Sequence, residues 1–199
     1  MVLDVRARRG VDRVVAPIGR ALSRVGITPS MVTIAGLAVT IVGAVFIGRG
    51  QLLAGAIIAT AGSLLDIVDG PLARTTGTAS RRGALLDTLA DRLGEVAIWI
   101  GLVHFLGGET RLLTLAVAGL AASMLVPYIR SKAEGWGAEG KGGLMGRAER
   151  LIVILAGIGL QGFEFGSFRP LEASLWILAV ATWLTVAQRS WRTWSQLAE

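Results

Sequence analysis

Six stretches of this chain carry no formal charge: residues 31–48, 50–65, 96–108, 112–129, 151–163 and 173–188. A helix needs roughly 20 apolar residues to cross a bilayer core of about 30 Å. Several of the stretches are shorter and continue into polar residues. Turn-forming sequences separate them at Arg49-Gly50, Thr75 to Ser80, Gly107-Gly108, Gly135 to Gly143 and Gly166 to Pro170. The pattern predicts six helices near 31–48, 50–73, 83–107, 110–134, 148–165 and 171–193. Apolar residues make up 53% of the 199, with 27 glycines in addition, and charged residues only 17%. That composition excludes a disordered chain and argues against an ordinary soluble domain, whose interior is too small for so many apolar side chains. The expected fold class is an all-α integral membrane protein with six transmembrane helices in a single domain. Cysteine is absent, which excludes disulfides, thiolate metal sites and a cysteine nucleophile. The single histidine, His104, excludes a multi-histidine metal site and is expected to be structural.

The first 25 residues contain Arg6, Arg8, Arg9, Arg13, Arg20 and Arg24 and lack the compact apolar core of a signal peptide. Val11, Val14, Val15, Ile18 and Leu22 recur at helical spacing, so residues 1–25 are expected to form an amphipathic interfacial helix. Basic residues also gather at Arg74, Arg81 and Arg82, at Arg130, Lys132, Lys141, Arg147 and Arg150, and at Arg189 and Arg192. With the N-terminal six, that makes sixteen on one side of the predicted membrane. The opposite side has only Arg49, Arg111 and Arg169. By the positive-inside rule both termini are cytoplasmic, which an even number of spans satisfies. The net charge of +6 is thus mostly topology, and no nucleic-acid partner is needed to explain it. Trp99, Trp136, Trp176, Trp183, Trp191 and Trp194 are read as mainly interfacial, and the glycine-rich stretch 135–146 as a flexible loop.

Four of the six aspartates fall within residues 66–91, at the facing ends of two otherwise apolar helices. Ionisable groups there are costly and usually functional. Asp66 and Asp69 are three apart, Asp87 and Asp91 four apart, so each pair shares a helix face. The short connection makes the two helices neighbours. Four converging carboxylates repel unless they are protonated or bind cations. Hard divalent cations prefer such oxygen ligands together with substrate phosphates, and two ions about 3.5–4 Å apart recur in phosphoryl transfer. Gly70 and Gly83 leave room for a ligand to approach the backbone, and Arg74 carries a fork suited to phosphate.

Residues 66–91 read Asp66-x-x-Asp69-Gly70-x-x-Ala73-Arg74, eight residues, then Gly83-x-x-x-Asp87-x-x-x-Asp91. This resembles the complete signature of the CDP-alcohol phosphotransferase family. The resemblance implies a membrane enzyme that moves a substituted phosphate from a CDP-linked lipid to an alcohol and releases CMP. It also implies a homodimer and two Mg²⁺ or Mn²⁺ ions per active site. Asp66, Asp69 and Asp87 would hold one ion, and Asp66, Asp87 and Asp91 the second, with Asp91 as general base. Gly70, Ala73, Arg74 and Gly83 would line the CDP pocket. Pro29 and Thr33, in Thr28-Pro29-Ser30 and beyond, resemble the family's threonine-proline stretch beside the nucleotide. The same stretch also reads as a helix start with Ser30 as N-cap.

The segments Tyr128-Ile129-Arg130-Ser131-Lys132-Ala133-Glu134 and Gly146-Arg147-Ala148-Glu149-Arg150, with Arg189, resemble the actinobacterial phosphatidylinositol-phosphate synthase branch of the family. That branch uses CDP-diacylglycerol and inositol phosphate. The resemblance implies that Lys132, Arg150 and Arg189 hold the acceptor's phosphate, an arrangement cationic forks favour. A proline expected in that branch before Glu149 is missing. Glycerol phosphate is the competing acceptor, and a small ion or proton-coupled transporter is the rival class. Transport would favour polar residues along a path through the membrane; here the acids cluster at one end. The expected location is the bacterial cytoplasmic membrane.

Overall fold

The computed structural model describes residues 26–75, 77–163 and 166–197, apart from the side chains of 66–71, 74 and 75. The expected interfacial helix at 1–25 lies outside the described residues. Every regular element among the described residues is a helix: α1 Pro29–Gly48, α2 Leu52–Thr75, α3 Arg81–Leu106, α4 Thr110–Gly135, α5 Arg147–Leu160 and α6 Pro170–Gln196. Three of them, α1, α4 and α6, are long and apolar enough to cross a membrane. The other three fall short for different reasons. In α2 the apolar part is Leu52–Leu65, after which the acidic signature begins. The N-terminal part of α3, as far as Glu95, carries Arg81, Arg82, Asp87, Asp91, Arg92 and Glu95. With 14 residues, α5 is about 21 Å long at 1.5 Å per residue.

The helix ends have local causes. Thr28 caps α1: its hydroxyl accepts the Met31 N–H at 3.3 Å and its carbonyl the Met31 N–H at 3.0 Å. Pro29 then occupies the first helical position, where a missing N–H costs nothing. Thr28, not Ser30, is therefore the N-cap, because the proline already has helical geometry. Gly77 follows the end of α2 with φ +67°, and the Thr78 N–H returns to the Ala73 carbonyl at 3.1 Å. This is the left-handed glycine stop of a Schellman motif. α5 ends at Leu160, five residues before the expected point. Gln161 turns there, and its Oε1 accepts the Leu171 N–H at 3.0 Å, capping the first turn of α6.

Contacts divide the described residues into two units, those within 1–43 and 58–97, and those within 44–57 and 98–199. In the first unit, three helices close on one residue. Thr40 of α1 is buried and donates its hydroxyl to the Gly36 carbonyl at 2.9 Å. Gly62 of α2 lies so close that a Cβ there would strike the Thr40 hydroxyl and amide and the Gly36 carbonyl. Gly94 of α3 faces Thr40 and Leu37, where a Cβ would meet the Thr40 methyl at 3.4 Å. Small residues let helix backbones approach to this distance.

In the second unit, α6 packs against both α4 and α5. Gly101 of α3 lies on the Ala44 carbonyl, and Gly157 of α5 on the Ser174 side chain of α6. Trp99 is 2% exposed and spreads under Gly119 of α4, which has no side chain to hold it off. The interfacial expectation for Trp99 is therefore replaced by a core role. Trp99→Ala is expected to destabilise the protein by about 3–5 kcal/mol, the usual cost of emptying an aromatic site. The check is thermal unfolding in detergent, where an unchanged midpoint would contradict the core role.

Candidate active site

The acidic signature lies where α2 ends and α3 begins. The backbone at Asp66 and Asp69 is helical, within the last turns of α2. Their side chains, and those of Gly70 and Arg74, lie outside the described set. Ala73 is half-buried in the final turn of α2, and the neighbouring Leu72 is fully buried. A five-residue connection then leads into α3. Ser80 begins α3: its hydroxyl accepts the Gly83 N–H at 3.0 Å and its carbonyl the Ala84 N–H at 3.0 Å. A Cβ on Gly83 would come within 3.3 Å of that hydroxyl.

Asp87 and Asp91 follow, one turn apart and half-buried on one face of α3. The Asp91 carboxylate is 19% exposed, 3.9 Å from the Arg92 guanidinium. Arg92 makes its close ion pair with Glu95 instead, at 2.9 Å, and Glu95 is 3% exposed. Glu95 thus serves Arg92, as its three-residue spacing allows. No group of three His, Cys, Asp or Glu converges among the described residues, a set from which the Asp66 and Asp69 side chains are missing. The donor chemistry fits a hard divalent cation: half-buried carboxylates at helical spacing. The Thr40 junction stands close in sequence to this chemistry. Gly62 precedes Asp66 by four residues, and Gly94 follows Asp91 by three.

At the start of α1, Pro29 and Thr33 sit one turn apart. Thr33 is buried and its hydroxyl donates to the Pro29 carbonyl at 3.1 Å. That bond holds the first turn of α1.

The three basic residues of the acceptor reading belong to three different helices. Lys132 is exposed near the end of α4, its Nζ 5.9 Å from the ring centroids of both Tyr128 and Trp136. Arg150 is 2% exposed in the first turn of α5. Arg189 is half-buried on α6 and donates from Nε to the Gly142 carbonyl at 2.8 Å and from Nη1 to the Val126 carbonyl at 3.1 Å. Three of its five N–H donors remain. Arg150 lies within electrostatic range of Arg189, as do Arg130 and Glu134. Arg130 and Glu134 pair at 2.8 Å. Arg130 lies within the Tyr128 to Glu134 segment but is not among the expected acceptor residues.

The glycine-rich stretch after α4 is not loose. One face of α6 is laid along it. Thr185 Oγ1 accepts the Met145 N–H at 3.0 Å, and Gln188 Oε1 the Leu144 N–H at 3.0 Å. Arg189 holds the Gly142 carbonyl. Gln196 both accepts from the Glu139 N–H at 2.7 Å and donates to its carbonyl at 3.2 Å. Gly142 has φ +104° and lies against the Arg192 guanidinium, so both its backbone and its space call for glycine. The expected flexible loop is thus a segment whose backbone is bonded at four residues to α6.

A membrane-compatible helical fold carrying this acidic signature defines a class, and comparison with known proteins agrees with it. The profile of the CDP-alcohol phosphatidyltransferase family matches residues 26–190, and the chain belongs to that family. A phosphatidylinositol phosphate synthase from Mycobacterium tuberculosis (strain ATCC 25618 / H37Rv) is 38% identical over 198 residues, covering 97% of this chain and 91% of the relative. One from Streptomyces avermitilis is 37% identical over 199 residues, covering 94% and 81%. The crystal structure of the M. tuberculosis enzyme with CDP-DAG bound superposes with a TM-score of 0.84 at 37% identity, covering 92% of this chain and 94% of that one. Its complex with manganese and citrate gives a TM-score of 0.85 at 37% identity, covering 90% and 88%.

Proposed function

We propose that this protein transfers the phosphatidyl group of CDP-diacylglycerol to inositol phosphate, giving phosphatidylinositol phosphate and CMP. The observation that carries the reading is near-full-length similarity to phosphatidylinositol phosphate synthases combined with all eight signature positions. Asp66, Asp69, Asp87 and Asp91 are the residues that would hold two divalent ions, Mg²⁺ or Mn²⁺. Such ions neutralise the pyrophosphate and the charge developing at phosphorus. Manganese in the mycobacterial relative supports that choice. Asp91 takes the proton from the acceptor hydroxyl. That oxygen forms the new bond to the β-phosphorus, the one bearing diacylglycerol, as the bond from this phosphorus to the bridging oxygen breaks and CMP leaves. Gly70, Ala73, Arg74 and Gly83, with Pro29 and Thr33, bind the nucleotide end. The spacing of the signature supports these roles.

Lys132, Arg150 and Arg189 hold the acceptor's phosphate. Buried Arg150 lies within electrostatic range of half-buried Arg189, which supports the reading for these two, since a phosphate between cations offsets their repulsion; for Lys132 the support is its place in the Tyr128 to Glu134 segment. The chain forms one membrane domain with six spans, both termini cytoplasmic, in a bacterial cytoplasmic membrane, and works as a homodimer. The sixteen-to-three bias of basic residues supports the orientation.

The test is purified protein with CDP-diacylglycerol and Mg²⁺, scored for CMP release with inositol phosphate, inositol, glycerol phosphate and serine. Release with inositol phosphate well above the others is expected. A preference for glycerol phosphate would move the protein to the phosphatidylglycerophosphate reaction, and no release with any acceptor would reopen transport. Lys132→Gln is expected to raise the KM for inositol phosphate about tenfold, with the KM for the lipid nearly unchanged; one charge-assisted hydrogen bond has that size. An unaltered acceptor KM would remove Lys132 from the site.

A further inference from the structure

A cavity of about 200 Å³ opens where α3 and α5 end and α4 and α6 begin. Its apolar wall is Phe105, Leu106, Leu112 and Leu171, and its polar wall is Glu109, Gln161, Arg169 and Glu172. None of these residues belongs to the acidic signature or to the basic cluster.

The charges sort into a used pair and an open pair. Glu172 is neutralised by Arg111, at 2.8 Å, and Arg111 is itself held over the Trp176 ring at 5.9 Å. Glu109 stands at the N-cap position of α4 without bonding its side chain to the helix. Arg169 occupies the same position on α6, also without a side-chain cap bond. Neither forms an ion pair among the described residues. Gln161 spends its Oε1 on the Leu171 N–H, which leaves its amide N–H groups. Among the described residues, what remains is one carboxylate, one guanidinium and one amide donor around an apolar wall. That set is complementary to a zwitterion with an anionic and an ammonium end. Glu109 and Arg169 immediately precede two of the helices long enough to cross a membrane. Their ends therefore lie at headgroup depth, where the Arg111–Trp176 stack is also at home.

We propose that this cavity binds the zwitterionic headgroup of a phospholipid of the phosphoethanolamine class. The phosphate meets Arg169 and the Gln161 amide, the ammonium meets Glu109, and the first carbons beyond the headgroup lie on Leu112 and Phe105.

The test uses the full chain in detergent, with dihexanoyl phosphatidylethanolamine, dihexanoyl phosphatidylglycerol and free phosphoethanolamine as probes in a calorimetric titration. The ethanolamine lipid is expected to bind at least tenfold more tightly than the glycerol lipid. Glu109→Gln and Arg169→Gln should each weaken it fivefold or more. Both residues are exposed, so thermal midpoint and CMP formation should stay at the unsubstituted level. Equal binding of the two lipids, or affinity untouched by both substitutions, overturns the proposal. Free phosphoethanolamine binding as tightly as the lipid overturns the lipid as occupant and identifies a soluble zwitterion instead.

Discussion

Asp91→Asn is expected to lower CMP formation by roughly 10³-fold, within the range for loss of a general base. Asparagine keeps the shape of the side chain but cannot accept the hydroxyl proton of the acceptor. The half-buried setting of Asp91 should tolerate an amide, and Arg92 loses little because its close partner is Glu95 at 2.9 Å. The thermal midpoint should change little, and nucleotide binding should persist. Turnover of Asp91→Asn at the normal rate would remove Asp91 from the role of base. Glu95→Gln is the informative contrast. It breaks the Arg92 pair and should lower stability more than it lowers the chemical rate.

Gly62→Leu should reduce kcat/KM about 100-fold without touching a residue of the signature. A leucine at 62 cannot fit against the backbone of Thr40 and the carbonyl of Gly36, so α2 must move away from α1. Asp66 is carried on the same rigid helix about one turn later, and displacements near 1 Å in a catalytic constellation cost about that much. Gly62→Ala should fall in the same direction but less far, because even one methyl group conflicts with the Thr40 amide. Gly108→Ala is the control, since nothing lies within 4 Å of that Cβ position. Circular dichroism should show the helices intact in all three. Full activity of Gly62→Leu would mean that the junction at Thr40 does not position the aspartates.

The helices were legible because charge is so costly in an apolar segment that its absence marks their lengths. Asp66, Asp69, Asp87 and Asp91 were legible for the same reason, as exceptions with helical spacing. The Thr40 junction was not. Gly62, Gly94 and Thr40 are common residues in apolar helices, and only their meeting in space distinguishes them. Trp99 was misplaced because a tryptophan near a span end looks alike whether it faces lipid or a glycine on a neighbouring helix. The cap at Thr28 was displaced to Ser30 because Thr, Pro and Ser each mark helix starts, and the proline decides which position is first. The α6 face presented Thr185, Gln188, Arg189 and Gln196 at helical spacing, yet their partners are backbone groups, which leave no trace in side-chain identity.

That last face works as a ruler. Residues 139 to 145 are measured against the turns of α6, with Glu139 at the far mark and Met145 at the near one. Inserting a single residue in this interval would slide some of these bonds off their marks, so the segment should resist changes of length more than changes of sequence. Arg189 is one of the marks on that scale as well as a charge near Arg150. Removing its side chain therefore alters the spacing of the α4–α5 connection together with the local charge.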